Sequence, residues 1–167
     1  MTAMTEAKTI YAYRVYIRAT PEAIWTAITD PEWNGRYGYA CPGEYDLRPG
    51  GAYRGLANEG MRAQGAPEVA VDGEVIEADP PRKLVQTWRL LMLPPDQGAE
   101  GFTRLTYEIE PTDGGVTKLT VTHDVSDAPA HAALVAGELE ATGAGGGWAW
   151  VLSGLKTLLE TGAPLNR

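Results

Sequence analysis

Trp148-Ala149-Trp150-Val151-Leu152-Ser153-Gly154-Leu155-Lys156-Thr157-Leu158-Leu159 decides the fold. Trp148, Val151, Leu152, Leu155, Leu158 and Leu159 recur at offsets 0, 3, 4, 7, 10 and 11, which is one stripe of a long amphipathic helix. Gly162 is placed to cap that helix, with Pro164 just beyond. Trp150 lies off the stripe and is expected to face a loop or a partner. Upstream, Gly143-Ala144-Gly145-Gly146-Gly147 is poor helix material and marks a break. The Ala-rich stretch 130–141 before it reads as a further helix, and His131 in it is expected to be solvated.

A stripe of this kind needs an apolar face to cover, and the preceding sequence supplies one. Residues 10–18 read as a strand with Tyr13, Val15 and Ile17 inward and Arg14, Tyr16 and Arg18 outward. Thr20-Pro21-Glu22 opens a helix with Ile24, Trp25 and Ile28 on its buried side, and Asp30-Pro31 ends it and opens a short second one. Residues 45–48 and 52–56 flank Pro49-Gly50-Gly51, a hairpin signal. Residues 58–67 read as a flexible connection. Strands follow over 69–78 and 84–91, the latter ended by Leu93-Pro94-Pro95-Asp96-Gln97-Gly98. Residues 103–110 and 116–125 form a hairpin around Asp113-Gly114-Gly115, with Leu119, Val121 and His123 on one face. The order is a strand, a helix pair, a run of about six strands and a long terminal helix, an α+β arrangement with an antiparallel sheet covered by the helix.

The 167 residues suit one domain spanning 1–167. The net charge of −8 argues against a nucleic-acid surface and favours a neutral or cationic partner. The single cysteine, Cys41, excludes an internal disulfide and a cysteine-based zinc site. Residues 1–8 are polar with no apolar core of a signal peptide, and no run approaches the length of a membrane span. A reduced, cytoplasmic protein is expected.

Val15-Tyr16-Ile17-Arg18-Ala19-Thr20-Pro21-Glu22-Ala23-Ile24-Trp25 with Ile28-Thr29-Asp30-Pro31 resembles the opening of the START-like or SRPBCC superfamily, and within it the activator of heat-shock-protein-90 ATPase homologue group. Leu47-Arg48-Pro49-Gly50-Gly51 resembles the turn of that group's second hairpin. Gly73-Glu74-Val75-Ile76-Glu77, Pro80-Pro81-Arg82-Lys83-Leu84-Val85 and Thr87-Trp88 resemble its middle strands. Thr117 to His123 and Gly147-Trp148 through Lys156 resemble its close. The resemblance implies a helix-grip fold, a curved sheet wrapped around the terminal helix with a deep hydrophobic cavity between them. Members bind lipids or polyketides, or catalyse cyclisation or dehydration. A stress-response setting and a chaperone partner come with the group's name.

The candidate ligand-binding residues are Tyr37, Tyr39, Tyr45, Tyr53, Trp88, Tyr107, His123, Trp148 and Leu152, because tyrosine and tryptophan walls offer apolar surface with hydrogen-bonding tips. Plain core packing is the alternative for most of them. His123 shares the inward parity of Leu119 and Val121, so it is either a cavity acid/base or a histidine satisfied by a core partner. Cys41 shows no sign of activation, no Gly-x-Ser-x-Gly elbow exists, and two histidines with one cysteine make a metal site improbable. Glu44, Asp46 and Arg48 alternate on a strand whose charged face is expected outward. The first expectation is a binder of a hydrophobic or amphipathic small molecule, without cofactor. The alternative is a cavity enzyme acting on a polyketide-like or aromatic substrate with His123 as acid/base. The third is a co-chaperone. Exposed aromatics would allow a homodimer.

Overall fold

Residues 8–92 and 100–165 are described by the structure, a computed structural model. Seven strands form one antiparallel sheet: β1 (Ile10–Ile17), β2 (Gly43–Tyr45), β3 (Ala52–Leu56), β4 (Val69–Asp79), β5 (Lys83–Leu90), β6 (Thr103–Pro111) and β7 (Thr117–Asp124). Their order is β1-β7-β6-β5-β4-β3-β2. Strands β2 to β7 therefore run as a meander, and β1 closes against the last of them. Helices α1 (Pro21–Thr29) and α2 (Pro31–Asn34) connect β1 to β2, α3 (Glu59–Ala63) connects β3 to β4, and α4 (Pro129–Val135) and α5 (Gly147–Thr161) follow β7. This is the helix-grip architecture.

Alternation sets the two faces of the sheet. Along β7, Thr117, Leu119, Val121 and His123 are buried while the residues between them are half-exposed. Register carries the inner face across the sheet: Leu84 faces Tyr107, Tyr107 faces Val121, and Val121 faces Tyr13. Trp148, Leu152, Leu155 and Leu158 of α5 are buried against this face, in one core with Ile24, Trp25 and Ile28 of α1. Lys156 pins the far half of α5 to β1 by donating to the Tyr16 carbonyl at 2.7 Å, and Glu160 accepts from the Arg18 backbone at 3.1 Å.

Caps fix the helix ends as the sequence signals them. The Thr20 hydroxyl accepts from Ala23 N at 3.1 Å, and the Asp30 carboxylate accepts from Glu32 N at 2.9 Å. Gly162 adopts φ 79 and ends α5.

Three local expectations are corrected. Residues 58–67 contain α3, because Asn58 Oδ1 accepts from Met61 N at 2.8 Å and nucleates a turn. The Ala-rich helix stops at Val135 instead of continuing to residue 141. Gly137 takes φ 79, and a Cβ there would stand 2.6 Å from the Gly146 carbonyl oxygen, so the return of the chain toward α5 breaks the helix. Strand β2 ends at Tyr45, since Arg48 N bonds the Asp46 carbonyl and Gly51 N bonds the Arg48 carbonyl, each at 2.8 Å, which makes 46–51 a turn. Glu44, Asp46 and Arg48 are exposed, as expected. The turn signal at 93–98 lies outside the described residues, as do residues 1–7.

Candidate functional site

The strand pairing that makes the sheet also gathers its tyrosines. Tyr45 of β2 and Tyr53 of β3 are register partners, and their rings stack with centroids 4.5 Å apart. Tyr45 donates its hydroxyl to Gln86 Oε1 at 2.8 Å, and Gln86 on β5 is fully buried. Tyr37 and Tyr107 complete the group, each close enough to its neighbours to influence their ionisation. Burial pushes all four phenols up from the ordinary tyrosine value, Tyr45 and Tyr107 well above it, and adjacent phenols add to the rise for Tyr37, Tyr45 and Tyr107. For Tyr53 the second contribution is the Cys41 thiol. All four stay protonated at physiological pH and act as neutral hydrogen-bonding groups.

Their accessibilities differ. Tyr37 is buried and donates to the Ala27 carbonyl at 2.9 Å, tying the 35–42 loop to α1. Tyr45, Tyr53 and Tyr107 are only half-buried although Tyr107 sits on a central strand.

A second group lies beside the first. The edge of Trp148 meets Tyr107 with centroids 6.0 Å apart. Trp148 Nε1 donates to His123 Nδ1 at 3.1 Å. On the other side of the ring, His123 Nε2 is 2.7 Å from the Thr103 hydroxyl, whose own proton goes to the Trp88 carbonyl at 2.7 Å. The imidazole therefore carries its proton on Nε2 and accepts on Nδ1, so both nitrogens are engaged. Burial, and then the neighbouring His131, lower its pKa from 6.5 to about 3. Trp88 packs edge-on against both His123 and His131, at 5.2 and 5.8 Å. Leu152 is buried one turn beyond Trp148 on α5.

His131 corrects an expectation. It is 1% exposed, not solvated. Leu90 N donates to its Nε2 at 3.0 Å, so Nδ1 holds the proton and donates to Glu100 at 2.6 Å. The same carboxylate accepts from Ala130 N and His131 N at 2.9 and 3.1 Å, capping α4. Burial raises the Glu100 pKa, but these hydrogen bonds outweigh it and leave it lowered.

Tyr39 stands apart from both groups. Its hydroxyl accepts from Gly147 N at 3.0 Å, at the start of α5. Its ring lies so close to Gly145 that any Cβ there would collide with it. Trp150, off the stripe, donates to the Gly38 carbonyl at 3.1 Å, so it faces a loop. Cys41 contacts the Tyr39 carbonyl and Met61 Sδ, both at 3.6 Å, and burial raises its thiol pKa.

Gln86, Thr103 and Glu100 are polar members that the sequence reading did not single out. Gln86 had a usable signal, since it shares the inward parity of Leu84 and Trp88. The Glu100–His131 pair joins residues 31 positions apart and had none.

Residues 18–160 match the family described as activator of Hsp90 ATPase homolog 1-like protein. Among solved structures, a Chromobacterium violaceum protein is 25% identical with a TM-score of 0.64, covering 90% of this chain and 96% of that one. A Bordetella parapertussis protein is 20% identical with a TM-score of 0.67, covering 98% and 81%. An HSP90 activator from Plasmodium falciparum is 23% identical with a TM-score of 0.53, covering 69% and 71%. No curated protein matches the sequence closely enough to count as a relative. With nearly its whole length matched and the helix-grip fold in place, the chain belongs to the activator of Hsp90 ATPase homolog 1-like family.

Proposed function

We propose that the protein binds a hydrophobic or amphipathic small molecule between the inner face of the sheet and α5. The observation that carries this reading is the half-buried state of Tyr45, Tyr53 and Tyr107 on a face whose neighbours Leu84, Leu105 and Val121 are closed to water. A filled core would close these rings as well. Aromatic walls with a few hydroxyl tips suit a small organic ligand. Saturable binding without turnover fits the state of His123, whose two nitrogens are held by Trp148 and Thr103.

The test is native mass spectrometry of the freshly purified full chain, followed by denaturing extraction. An adduct that survives transfer and is released on denaturation is the expected result. A bare chain that also fails to take up uncharged aromatic probes overturns the reading. Turnover of the extracted compound that disappears in His123→Gln would replace binding with catalysis.

A further inference from the structure

We infer that the ligand is uncharged and carries a carbonyl-type oxygen, received by the hydroxyls of Tyr53 and Tyr107. This rests on the binding reading and sharpens it to a chemical class.

The first observation is an imbalance of partners. Of the three half-buried phenols, Tyr45 alone has a partner within hydrogen-bond geometry among the described residues, Gln86 Oε1. The Tyr45 hydroxyl also stands close enough to those of Tyr53 and Tyr107 for a hydrogen-bonding influence on each, the smallest of the causes acting on either phenol. No buried polar side-chain atom among the described residues lacks a partner. The hydroxyls of Tyr53 and Tyr107 therefore open onto accessible space close to Tyr45. Gln86 adds to the surplus of donors, since its amide nitrogen reaches only the Thr87 carbonyl, at 3.5 Å. Protonated phenols offer O–H groups, and the complement of two O–H groups near one another is one oxygen with two lone pairs.

The second observation is the absence of charge. The buried polar residues are Gln86, Thr103, Thr117, His123 and His131, with no lysine, arginine, aspartate or glutamate among the described residues. No cation among the described residues is among the influences on any phenol of the cluster. A carboxylate or ammonium brought here would lose its water and find no counter-ion, which is far costlier than burying a neutral carbonyl that is hydrogen-bonded on arrival. A fatty-acid-like anion is thus disfavoured, and a ketone, ester, lactone or amide on an apolar or aromatic body is favoured.

The experiment uses three probes of one shape: 2-acetonaphthone, 2-naphthoate and 2-ethylnaphthalene. Each is titrated into the full chain near neutral pH and followed by calorimetry and tryptophan fluorescence. The ketone is expected to bind about tenfold more tightly than either of the others, the worth of about two neutral hydrogen bonds. Tyr53→Phe and Tyr107→Phe keep the rings and delete one hydroxyl each. Each should reduce ketone affinity about three- to tenfold and leave 2-ethylnaphthalene within about twofold. Equal or tighter binding of 2-naphthoate overturns the inference and leaves the binding reading standing. So does a ketone preference unchanged in both phenylalanine variants. Failure of all three probes to bind overturns the binding reading itself, and this inference with it.

Discussion

His123→Gln should flatten the acid limb of the stability curve. In the folded chain the imidazole is held neutral, with its pKa lowered to about 3 by burial and by His131, against 6.5 for an ordinary histidine. Its Nδ1 cannot take a proton without losing the bond from Trp148 Nε1. The unfolded chain therefore binds this proton first, and stability is full above the unfolded value and falls as pH drops below it. At about 1.4 kcal/mol per pH unit, lowering the pH from about 7.5 to about 5 should remove about 2 kcal/mol through this one residue. That window stays above the unfolded carboxylate range, so the lowered acids Glu100 and Asp124 contribute little to the change. Glutamine can accept from Trp148 and donate to Thr103 but does not titrate in this range. Urea unfolding of both proteins at the two pH values measures the effect. The variant should be less stable at the higher pH and lose about 2 kcal/mol less on acidification. Parallel losses, or an imidazole resonance titrating near its ordinary value in folded protein, would refute the account of a neutral, doubly bonded ring.

Gly147→Ala should destabilise by about 2 kcal/mol or more in thermal unfolding, because φ is 67 there and a Cβ would meet the Val135 carbonyl and stand 2.7 Å from Gly137 N. Tyr45→Phe should cost about 1–3 kcal/mol in urea unfolding, since it leaves the Gln86 Oε1 acceptor unpaired in a fully buried side chain. Arg89→Ala should cost only about 0–1 kcal/mol, because its 2.7 Å pair with Asp72 is partly solvated, and adding salt should shrink that loss further.

Local periodicity made most of the fold legible. The α5 stripe and the β7 alternation each depend on residues a few positions apart, and each is present in the structure. What failed depended on distant partners. The helix over 130–141 was cut short because Gly137 must pass the Gly146 backbone, a contact that Ala-rich composition cannot announce. His131 read as solvated because nothing near it in sequence showed that Glu100 and Leu90 would reach its two nitrogens. Helix α3 was missed for the opposite reason: at five residues, with Gly60 inside, it is too short to show a period, and Asn58 was its only sign. Among the candidate site residues, strand parity places Tyr107 and His123 inward, but only the pairing of β2 with β3 brings Tyr45 onto Tyr53.

The same alternation explains how an acidic protein keeps an interior polar but without charge. Across β2 to β5 the outer face runs Glu44, Arg54, Asp72 and Arg89 in register, with ion pairs of 3.4 Å and 2.7 Å at its ends. One residue along, the inner face carries Tyr45 and Tyr53, with Gln86 beyond them on β5. Charges placed outside keep their water and cost little. The Tyr45 phenol and the Gln86 amide placed inside can be desolvated because they satisfy one another, and burial holds the phenols of the cluster protonated. A one-residue slip of β3 against β2 would bring Arg54 to the inner face and Tyr53 to the outer one. The strand register that fixes the fold is therefore also what keeps cations away from the phenol cluster. An insertion in the 46–51 turn that shifted that register should abolish the neutral-over-anion preference together with cooperative unfolding.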